Sequence, residues 1–361
     1  MGRYKIGVYA ICKNEAHFVD RWLDSMEEAD VIVVCDTGSI DNTIEKLEAR
    51  GVIVKSIEIK PWRFDTPRNI AMDLLPEDVD IAVSTDLDEI LEPGWREKIE
   101  KVWQPETTRL RYSYTWNFNP DGSRGTTFLY EKIHRRHDFR WIKPVHEVLH
   151  YSGADPDMYA IDQTIQLNHY PDPTKSRGQY LPLLELSLEE FPEDDRNAHY
   201  LGREYMFHGM YDKSIETLKS HLEMPTATWK DERCASMRFI SRCYRFKGQL
   251  DKATAWLYRA IAEAPYLREP YAEMAKLAQL QEDWPRIYHM VEAALNITIK
   301  PNSYMDEGWC WDSTLYDLGA LSCYYLGMYD KSLHFAEIAC KMEPGNERLK
   351  SNYEIIKNRP K

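Results

Sequence analysis

The stretch Asp80-Ile81-Ala82-Val83-Ser84-Thr85-Asp86-Leu87-Asp88-Glu89 joins a short apolar run to two aspartates separated by one residue. The apolar run predicts the end of a buried β-strand, and the acidic segment follows at its carboxyl end. Two carboxylates at that place can face one polar pocket, where they suit a hard divalent cation that can hold a diphosphate. The alternative is an acidic turn between a strand and a helix, which is where an isolated Asp-x-Asp more commonly occurs.

Three further apolar runs precede this strand and alternate with segments of helical spacing. The runs are Lys5 to Cys12, Val31 to Cys35 and Val52 to Val54. This alternation is typical of an α/β fold with a parallel sheet. Ligands bind beyond the carboxyl ends of the strands in such sheets. The polar residues at these ends are Lys13, Asn14, Glu15, Asp36, Thr37, Gly38 and Asp86.

The chemistry of these strand ends indicates a nucleotide. Asp36 can accept hydrogen bonds from a base or a ribose hydroxyl, Gly38 lets the backbone approach a ligand closely, and Arg68 can neutralise phosphate. The alternative is that the segment after the second strand is only a strand-to-helix turn, capped by Ser39 or Asp41. The chain has neither Gly-x-Gly-x-x-Gly nor Gly-x-x-x-x-Gly-Lys-Ser, which argues against a dinucleotide-binding dehydrogenase and a P-loop NTPase.

Four motifs in order resemble those of family 2 glycosyltransferases of the GT-A fold, over about the first 170 residues. They are Ala10-Ile11-Cys12-Lys13-Asn14-Glu15, Asp36-Thr37-Gly38-Ser39-Ile40-Asp41-Asn42-Thr43, Pro67-Arg68-Asn69 and Asp86-Leu87-Asp88-Glu89. The resemblance implies a Rossmann-like α/β domain with a mixed sheet, a nucleotide-sugar donor that is usually a UDP-sugar, and a divalent metal. It also implies inversion at the anomeric carbon by direct displacement.

The same resemblance implies roles for particular residues. Asp86 and Asp88 would hold Mn²⁺ or Mg²⁺, which takes up charge on the leaving diphosphate, and Asp88 is therefore also counted as catalytic. His169 is expected as a further metal ligand, with a core or capping histidine as the alternative. The residues expected to bind the nucleotide sugar are Ile11, Lys13, Asn14, Glu15, Asp36, Gly38, Arg68, Asp86 and Leu87.

The segment His146-Glu147-Val148-Leu149-His150 matches the zinc-protease pattern His-Glu-x-x-His, which requires a helix that presents both histidines on one face. Pro144, Gly153 and the β-rich flanks argue against such a helix. A Trp-x-x-Pro-Val-His-Glu element recurs on the acceptor side in the transferases that this chain resembles. Glu147 is therefore the expected base for the acceptor's proton, and a structural carboxylate is the alternative.

Composition changes at Pro171-Asp172-Pro173, which predicts a transferase domain over 1–172 and an all-α domain over 173–361. Gly209-Met210-Tyr211-Asp212-Lys213-Ser214 recurs at Gly327 to Ser332, with a looser copy from Gly248 and a degenerate copy from Glu282. The spacings of 39, 34 and 45 residues bracket the 34-residue tetratricopeptide period. The segments resemble about four tetratricopeptide-type helix pairs over residues 190 to 356.

A stacked array of helix pairs offers an extended surface for a peptide or another partner. The alternatives are that the array only supports the catalytic domain or forms a homodimer. Trp309 and Trp311, with Tyr304 and Trp284, could form an aromatic acceptor platform, although packing between repeats is the favoured interpretation. Similar architecture in peptide S-glycosyltransferases of bacteriocin pathways implies a peptide or protein acceptor, and a saccharide acceptor stays open.

Composition limits the remaining classes. The net charge of −13 argues against nucleic-acid binding, which needs clustered Lys and Arg. The sequence has no apolar run of about 18 residues and no apolar N-terminal region. It therefore predicts neither a membrane span nor a signal peptide. The 7 cysteines form no Cys-x-x-Cys pair, which favours reduced thiols in a cytoplasmic protein. The favoured function is a metal-dependent inverting glycosyltransferase. The alternatives are a tetratricopeptide-type scaffold with an inactive transferase domain and, far behind it, the zinc protease.

Overall fold

The computed structural model describes residues 3–119, 121–172, 180–301, 303 and 305–359. The chain divides into two compact units, which are Met1–Phe191 (unit 1) and Pro192–Lys361 (unit 2). The change of composition at 171–173 therefore precedes the division between the units, and Pro173 itself lies outside the described residues. Helix Tyr180–Glu190 belongs to unit 1. Its last residue, Glu190, pairs with Arg63 of the same unit at 2.9 Å.

Unit 1 consists of a large sheet, a small hairpin and covering helices. The strands are β1 (Ile6–Cys12), β2 (Val31–Asp36), β3 (Ile53–Ser56), β4 (Ile81–Asp86), β5 (Glu89–Leu91), β6 (Arg109–Thr115), β7 (Thr127–Arg135), β8 (Phe139–Ile142), β9 (Val148–Tyr151) and β10 (Tyr159–His169). The helices are α1 (Val19–Ser25), α2 (Thr43–Ala49), α3 (Asp65–Leu74), α4 (Trp95–Val102) and α5 (Tyr180–Glu190).

The large sheet has the strand order β3-β2-β1-β4-β7-β6-β10-β5, and β8 and β9 form a separate two-stranded sheet. Strands β3, β2, β1 and β4 are parallel. Strand β7 runs antiparallel to both β4 and β6. The sheet is therefore mixed, which confirms the predicted α/β class, and its parallel half coincides with the four strands that the apolar runs predict.

Strand β1 lies at the centre of this arrangement, and all seven of its residues are buried. Its alternate side chains enter two different cores. Val8 packs with residues such as Trp22 and Trp95, whereas Tyr9 packs with residues such as Met72 and Trp141. A continuous apolar run is required here, because helices or the hairpin cover the sheet on both faces.

The register brings the carboxyl ends of three parallel strands to one edge of the sheet. Cys12 of β1 lies opposite Asp36 of β2, and Ile11 lies opposite Asp86 of β4. The chain leaves β2 through Gly38, whose φ of 100° is readily adopted only by glycine. Polar segments that are far apart in the sequence thus end side by side.

Unit 2 is an array of helix pairs. Its helices are α6 (Asp195–Phe207), α7 (Tyr211–Glu223), α8 (Lys230–Phe246), α9 (Leu250–Glu263), α10 (Glu269–Leu280), α11 (Trp284–Leu295), α12 (Thr314–Tyr325), α13 (Tyr329–Met342) and α14 (Glu347–Lys357). We call α6, α8, α10 and α12 the first helices of the four pairs. The four turns within the pairs contain residues with φ of 72°, 72°, 53° and 73°, which are Gly209, Gly248, Glu282 and Gly327.

The repeated motif has a packing role that is the same in the first and last pairs. The hydroxyls of Ser214 and Ser332 donate to the carbonyl oxygens of Gly202 and Ala320, each at 2.7 Å. Each serine therefore ties the second helix of its pair to the first. The degenerate third copy also forms a helix pair, in which Glu282 adopts the left-handed turn conformation that glycine adopts in the other three.

The tryptophans considered for an acceptor platform make contacts within unit 2. Trp284 stacks on Tyr325 with ring centroids 4.1 Å apart, and the indole of Trp309 donates to Glu307 at 2.6 Å. Arg268 lies over the ring of Trp311 at 3.7 Å. Tyr304 lies outside the described residues. In the described part of the chain, no helix combines the length and the apolar character needed to cross a membrane.

Candidate active site

The turn after β2 is organised by Asp36. Its buried carboxylate accepts hydrogen bonds from the backbone N–H groups of Gly38 and Ser39 at 3.0 and 3.1 Å. Asp41 accepts from the N–H of Thr43 at 3.1 Å, at the start of α2. Asp36 can therefore hold the turn and also bind a nucleotide, as the two interpretations of this segment require. The reason is that each carboxylate oxygen can accept more than one hydrogen bond.

The loop after β1 is fastened to the loop after β2. The N–H of Asn14 donates to the hydroxyl of Ser39 at 2.8 Å, and the Asn14 side chain accepts from the N–H of Ile40 at 2.8 Å. Asn14 has a φ of 55°, which these two bonds hold in place. The N–H of Glu15 donates to the hydroxyl of Thr43 at 2.8 Å. The two loops thus form one rigid rim at the edge of the sheet.

Arg68 occupies the centre of the site. It lies on α3 and is buried. Its Nε donates to Oε1 of Glu147 at 2.6 Å, and its Nη2 donates to Oδ2 of Asp86 at 3.1 Å. Its Nη1 lies 2.8 Å from Oδ1 of Asp86, and the guanidinium lies 5.2 Å from the ring centroid of Trp141. One cation therefore joins three segments that the sequence analysis selected separately.

Glu147 reaches this position from a loop and not from a helix. The loop connects β8 to β9, and Lys143 and His146 have φ values of 79° and 50° within it. The carbonyl of Pro144 accepts from the N–H of Phe64 at 2.9 Å, which anchors the loop beside the start of α3. Because His150 lies in strand β9, the helical His-Glu-x-x-His arrangement of a zinc protease is absent.

Two buried residues that the sequence analysis did not select complete the cluster. Lys132 of β7 has its Nζ 3.5 Å from Oδ2 of Asp86 and 3.3 Å from Oε1 of Glu89. Glu89 accepts from the hydroxyl of Tyr114 and from the N–H of Asp86, each at 2.9 Å. Glu89 stands inside the quoted Asp86 to Glu89 motif, whereas the only sequence signal for Lys132 is a charged residue in a strand of alternating pattern.

Burial and neighbouring charges shift the pKa values of three residues of the cluster. Burial alone would raise the pKa of Asp86, but Arg68 and Lys132 outweigh it and hold that pKa below its usual range. Burial raises the pKa of Glu89, and the charges of Asp86 and Asp88 add to the rise while Lys132 opposes it. Burial would lower the pKa of Lys132, but Glu89 and Asp86 raise it well above its usual value. Asp86 and Lys132 are therefore both charged near neutral pH.

Asp88 and His169 form a second polar group next to this cluster. Nε2 of His169 lies 3.5 Å from Oδ2 of Asp88, and its Nδ1 is 2.9 Å from the carbonyl oxygen of Trp116. The Trp116 ring packs on the His169 ring with centroids 4.8 Å apart. Burial would lower the pKa of His169, but its hydrogen bonds to Asp88 and to the Trp116 carbonyl raise it.

The fit to a divalent cation rests on Asp88 and His169. Within the residues that the structure describes, no group of three or more His, Cys, Asp or Glu side chains is placed to hold a metal ion. The third predicted ligand, Asp86, contacts Arg68 and Lys132 instead. One carboxylate and one imidazole still suit Mg²⁺ or Mn²⁺, because these ions commonly keep water and take substrate phosphate oxygens as their other ligands.

No protein-family model and no curated protein sequence matches the chain. Similar solved structures include the MamA protein, at 17% identity over 48% of this chain and 84% of that chain, with a TM-score of 0.36. YrrB, described as a tetratricopeptide protein with an unusual peptide-binding site, is 12% identical over 48% of this chain and 81% of that chain, with a TM-score of 0.39. A thermophilic tetratricopeptide protein of Thermus thermophilus is 18% identical over 49% of this chain and 88% of that chain, with a TM-score of 0.33.

These similarities cover about half of the chain, and their TM-scores are below 0.5. The repeat character of unit 2 therefore rests on its own helix pairs, positive-φ turns and serine contacts. Those features make unit 2 a tetratricopeptide-like array, as the recurring glycine motif predicts.

Proposed function

We propose that unit 1 is a metal-dependent inverting glycosyltransferase of the GT-A kind, which transfers a sugar from a nucleotide diphosphate, with a UDP-sugar favoured. The acceptor is a hydroxyl or thiol of a peptide, protein or saccharide. The observation that carries the proposal is the contact of one buried guanidinium, that of Arg68, with both Asp86 and Glu147. These are the carboxylates assigned to the donor and to the acceptor.

The rim of the sheet supports a nucleotide at the same edge. Asp36 and Glu15 are buried at the ends of neighbouring strands, where their carboxylates can accept from a base or a ribose. A Cβ atom built on Gly38 has no other atom within 4 Å, so the backbone there borders open space. Asp86 follows on the next strand, where it can accept from hydroxyls of the donor sugar.

The proposed chemistry uses Glu147 as the base. The acceptor oxygen or sulfur forms a bond to the anomeric carbon while that carbon's bond to the diphosphate oxygen breaks, and the electron pair stays with the diphosphate. The acceptor proton moves to Glu147, whose carboxylate Arg68 holds in position. A divalent cation held by Asp88 and His169 would neutralise charge on the diphosphate. Attack from the face opposite the leaving group gives inversion.

Calorimetry with UDP, with and without Mn²⁺, tests the donor site, and GDP serves as the control nucleotide. We expect UDP to bind in a metal-dependent way and Asp88→Ala to abolish that dependence. Transfer from a panel of UDP-sugars should also cease in Asp88→Ala. Near-normal turnover in this variant would rule out the assigned role of Asp88.

A binding scaffold with an inactive transferase domain is the second candidate. The observation that favours it is that Arg68 and Lys132 already contact the Asp86 carboxylate, while the described residues offer no complete three-ligand metal group. In that case the helix pairs of unit 2 would supply the function. Failure of both UDP and GDP to bind, with or without Mn²⁺, would favour the scaffold over the enzyme.

A further inference from the structure

Glu269 and Asp306 bring two carboxyl groups together inside unit 2. Glu269 is the first residue of α10, and Asp306 lies in the segment of residues 305–313 before α12, which we call the linker. Glu269 is only 2% exposed, and its carboxyl group is within hydrogen-bonding reach of the Asp306 carboxyl group. Two carboxylates have no hydrogen to share, so this contact requires one proton on the pair.

The neighbouring contacts assign this proton to Glu269. Oδ2 of Asp306 lies 2.8 Å from the Nζ of Lys300, which favours the ionised form of Asp306. Oε1 of Glu269 accepts from the N–H of Glu307 at 3.3 Å. The two other oxygens, Oε2 of Glu269 and Oδ1 of Asp306, are buried without a hydrogen-bond partner among the described residues. A proton on Oε2 that is donated to Oδ1 satisfies both atoms at once.

The charged cluster around the pair contains one more carboxyl group than cations. Its described members are the carboxyl groups of Glu269, Glu273, Asp306 and Glu307 and the cations Arg238, Arg242 and Lys300. The cations lie between 2.6 and 3.5 Å from their partner carboxylates. Because an unbalanced buried charge is costly, one proton on Glu269 stabilises the whole cluster.

The other titratable groups around the pair have partners or are uncharged. Asp231 accepts from the hydroxyl of Tyr266 at 2.7 Å, and Arg268 donates to the carbonyl oxygen of Ile297 at 2.7 Å. Burial raises the pKa values of two thiols, so both are uncharged near neutral pH. They belong to Cys234 and Cys310.

The surroundings of Glu269 favour its protonated form. Burial raises the pKa of Glu269 above 4.5, and the contact with Asp306 adds to the rise, while backbone N–H groups and Arg238 oppose it. A cavity of about 10 Å³ is lined by Glu269 and Asp306. That volume is the lower limit for a single water molecule, so a hydrated cation has no space there. A proton can therefore balance the charge where a cation cannot.

We propose that Glu269 and Asp306 form a pH-sensitive latch, which holds the linker against α8 and α10 while the pair shares a proton and releases it when the proton is lost. The proposal concerns unit 2 alone and is independent of sugar transfer by unit 1.

The linker also supplies one wall of a cavity of about 460 Å³ in unit 2, through Glu307 and Trp309. Glu307 accepts from Arg242 of α8 at 2.6 Å, and the ring centroid of Trp309 lies 3.4 Å from the Nζ of Lys276 of α10. Release of the linker would therefore separate both pairs and open this cavity on one side.

The direction of the pH dependence follows from the raised pKa of Glu269. In the released state its carboxyl group reaches water and ionises near pH 4.5, whereas in the latched state it ionises at a higher pH. The latch is therefore fully effective below pH 4.5. Above pH 4.5 the equilibrium shifts towards release by up to about tenfold per pH unit, until Glu269 ionises in the latched state as well.

Hydrogen–deuterium exchange of the full-length protein between about pH 4.5 and 8 tests the latch. After correction for the intrinsic pH dependence of exchange, we expect the protection of residues 305–313 to fall as pH rises, by up to about tenfold per pH unit. Glu269→Gln has a neutral amide that can donate to Asp306 at every pH, so its protection should stay constant. Glu337→Gln, at an exposed residue of α13, is the matched control and should show the same fall as the wild type.

Asp306→Asn provides a second variant, because its amide can donate to an ionised Glu269, and it should also reduce the fall. Circular dichroism checks the folding of both variants, so loss of folding in one leaves the other informative. Constant protection in the wild type, or an equal fall in the wild type and the folded variants, would overturn the proposal. Removal of the wild-type protection by EDTA at pH 5 would assign the pair to a metal ion and would also overturn it.

Discussion

Arg68 donates from Nε to Oε1 of Glu147 at 2.6 Å across 79 positions of sequence. The same guanidinium contacts Asp86 with its other two nitrogens. In the proposed reaction, one cation would therefore position both the base and the carboxylate that faces the donor. Replacements of Arg68 can therefore distinguish the effect of its positive charge from the effect of its planar geometry.

Replacement of Arg68 by lysine keeps the charge but removes the planar fork that reaches two carboxylates. We expect Arg68→Lys to lose transfer by roughly a hundredfold or more, because the two carboxylates lose their common positioning. Arg68→Met should in addition lower the free energy of unfolding by about 3–5 kcal/mol, since it leaves buried carboxylates without a cation. Urea unfolding of both variants measures this difference. Equal stability of the two variants would mean that the positive charge at position 68 does not contribute to the stability of the fold.

Replacement of Glu147 by glutamine preserves shape and removes the base. We expect Glu147→Gln to lose transfer by roughly a hundredfold or more while UDP binding stays within a few fold of wild type. Calorimetry and a transfer assay on the same preparation separate the two effects. If UDP affinity falls together with turnover, Glu147 belongs to the donor site or supports the structure.

His134 makes the stability of unit 1 depend on pH. Its Nε2 is 2.8 Å from the Tyr9 hydroxyl, which accepts from the Trp141 indole at 2.8 Å, and its Nδ1 is 2.7 Å from the Arg135 carbonyl oxygen. Burial lowers the pKa of His134 from 6.5 to about 3, although the hydrogen bond with the Arg135 carbonyl opposes this shift. The neutral ring satisfies this chain of hydrogen bonds, with Nδ1 as donor and Nε2 as acceptor.

The unfolded chain takes up a proton at His134 near pH 6.5, whereas the folded chain does so only near pH 3. The contribution of this group is therefore complete above pH 6.5 and is lost as pH falls towards 3, by about 1.4 kcal/mol per pH unit. Urea unfolding between about pH 7.5 and 4.5 should show a slope that is smaller in His134→Gln than in the wild type by about this amount. His150→Gln, at an exposed residue of the same unit, is the matched control. An identical slope in His134→Gln and wild type would contradict the prediction.

Gly202 allows close approach of two helices in the first pair of unit 2. A Cβ atom at this position would lie 2.4 Å from Cγ of Leu218, a buried residue of α7. Alanine would gain about 1 kcal/mol in helix propensity, but overpacking costs about 1–3 kcal/mol. We expect Gly202→Ala to lower the free energy of unfolding, because Cγ of Leu218 can move away only by a change of the χ1 rotamer, which the packing around this fully buried side chain opposes. Gly308→Ala, where a Cβ meets no atom within 4 Å, is the control and should be close to neutral. Stabilisation by Gly202→Ala would show that the helices can separate freely.

The sequence by itself determined the elements whose signals are local. The run Lys5 to Cys12 matches β1 within one residue, and the run Val31 to Cys35 matches β2 within one residue, because a strand covered on both faces must be apolar throughout. The turn glycines of unit 2 were equally predictable from the sequence, because the left-handed backbone conformation at a fixed place in each pair favours glycine.

Only the tertiary structure decided which of these elements become neighbours. Strand β7 pairs with β4 in antiparallel sense, which carries Lys132 to Asp86, and the hairpin of β8 and β9 carries Glu147 to Arg68. Hydrophobic periodicity reports which face of a segment is buried but not what it is buried against. Pairing across dozens of residues depends on how the whole core packs, and the contacts of Arg68 with Asp86 and Glu147 are of that kind.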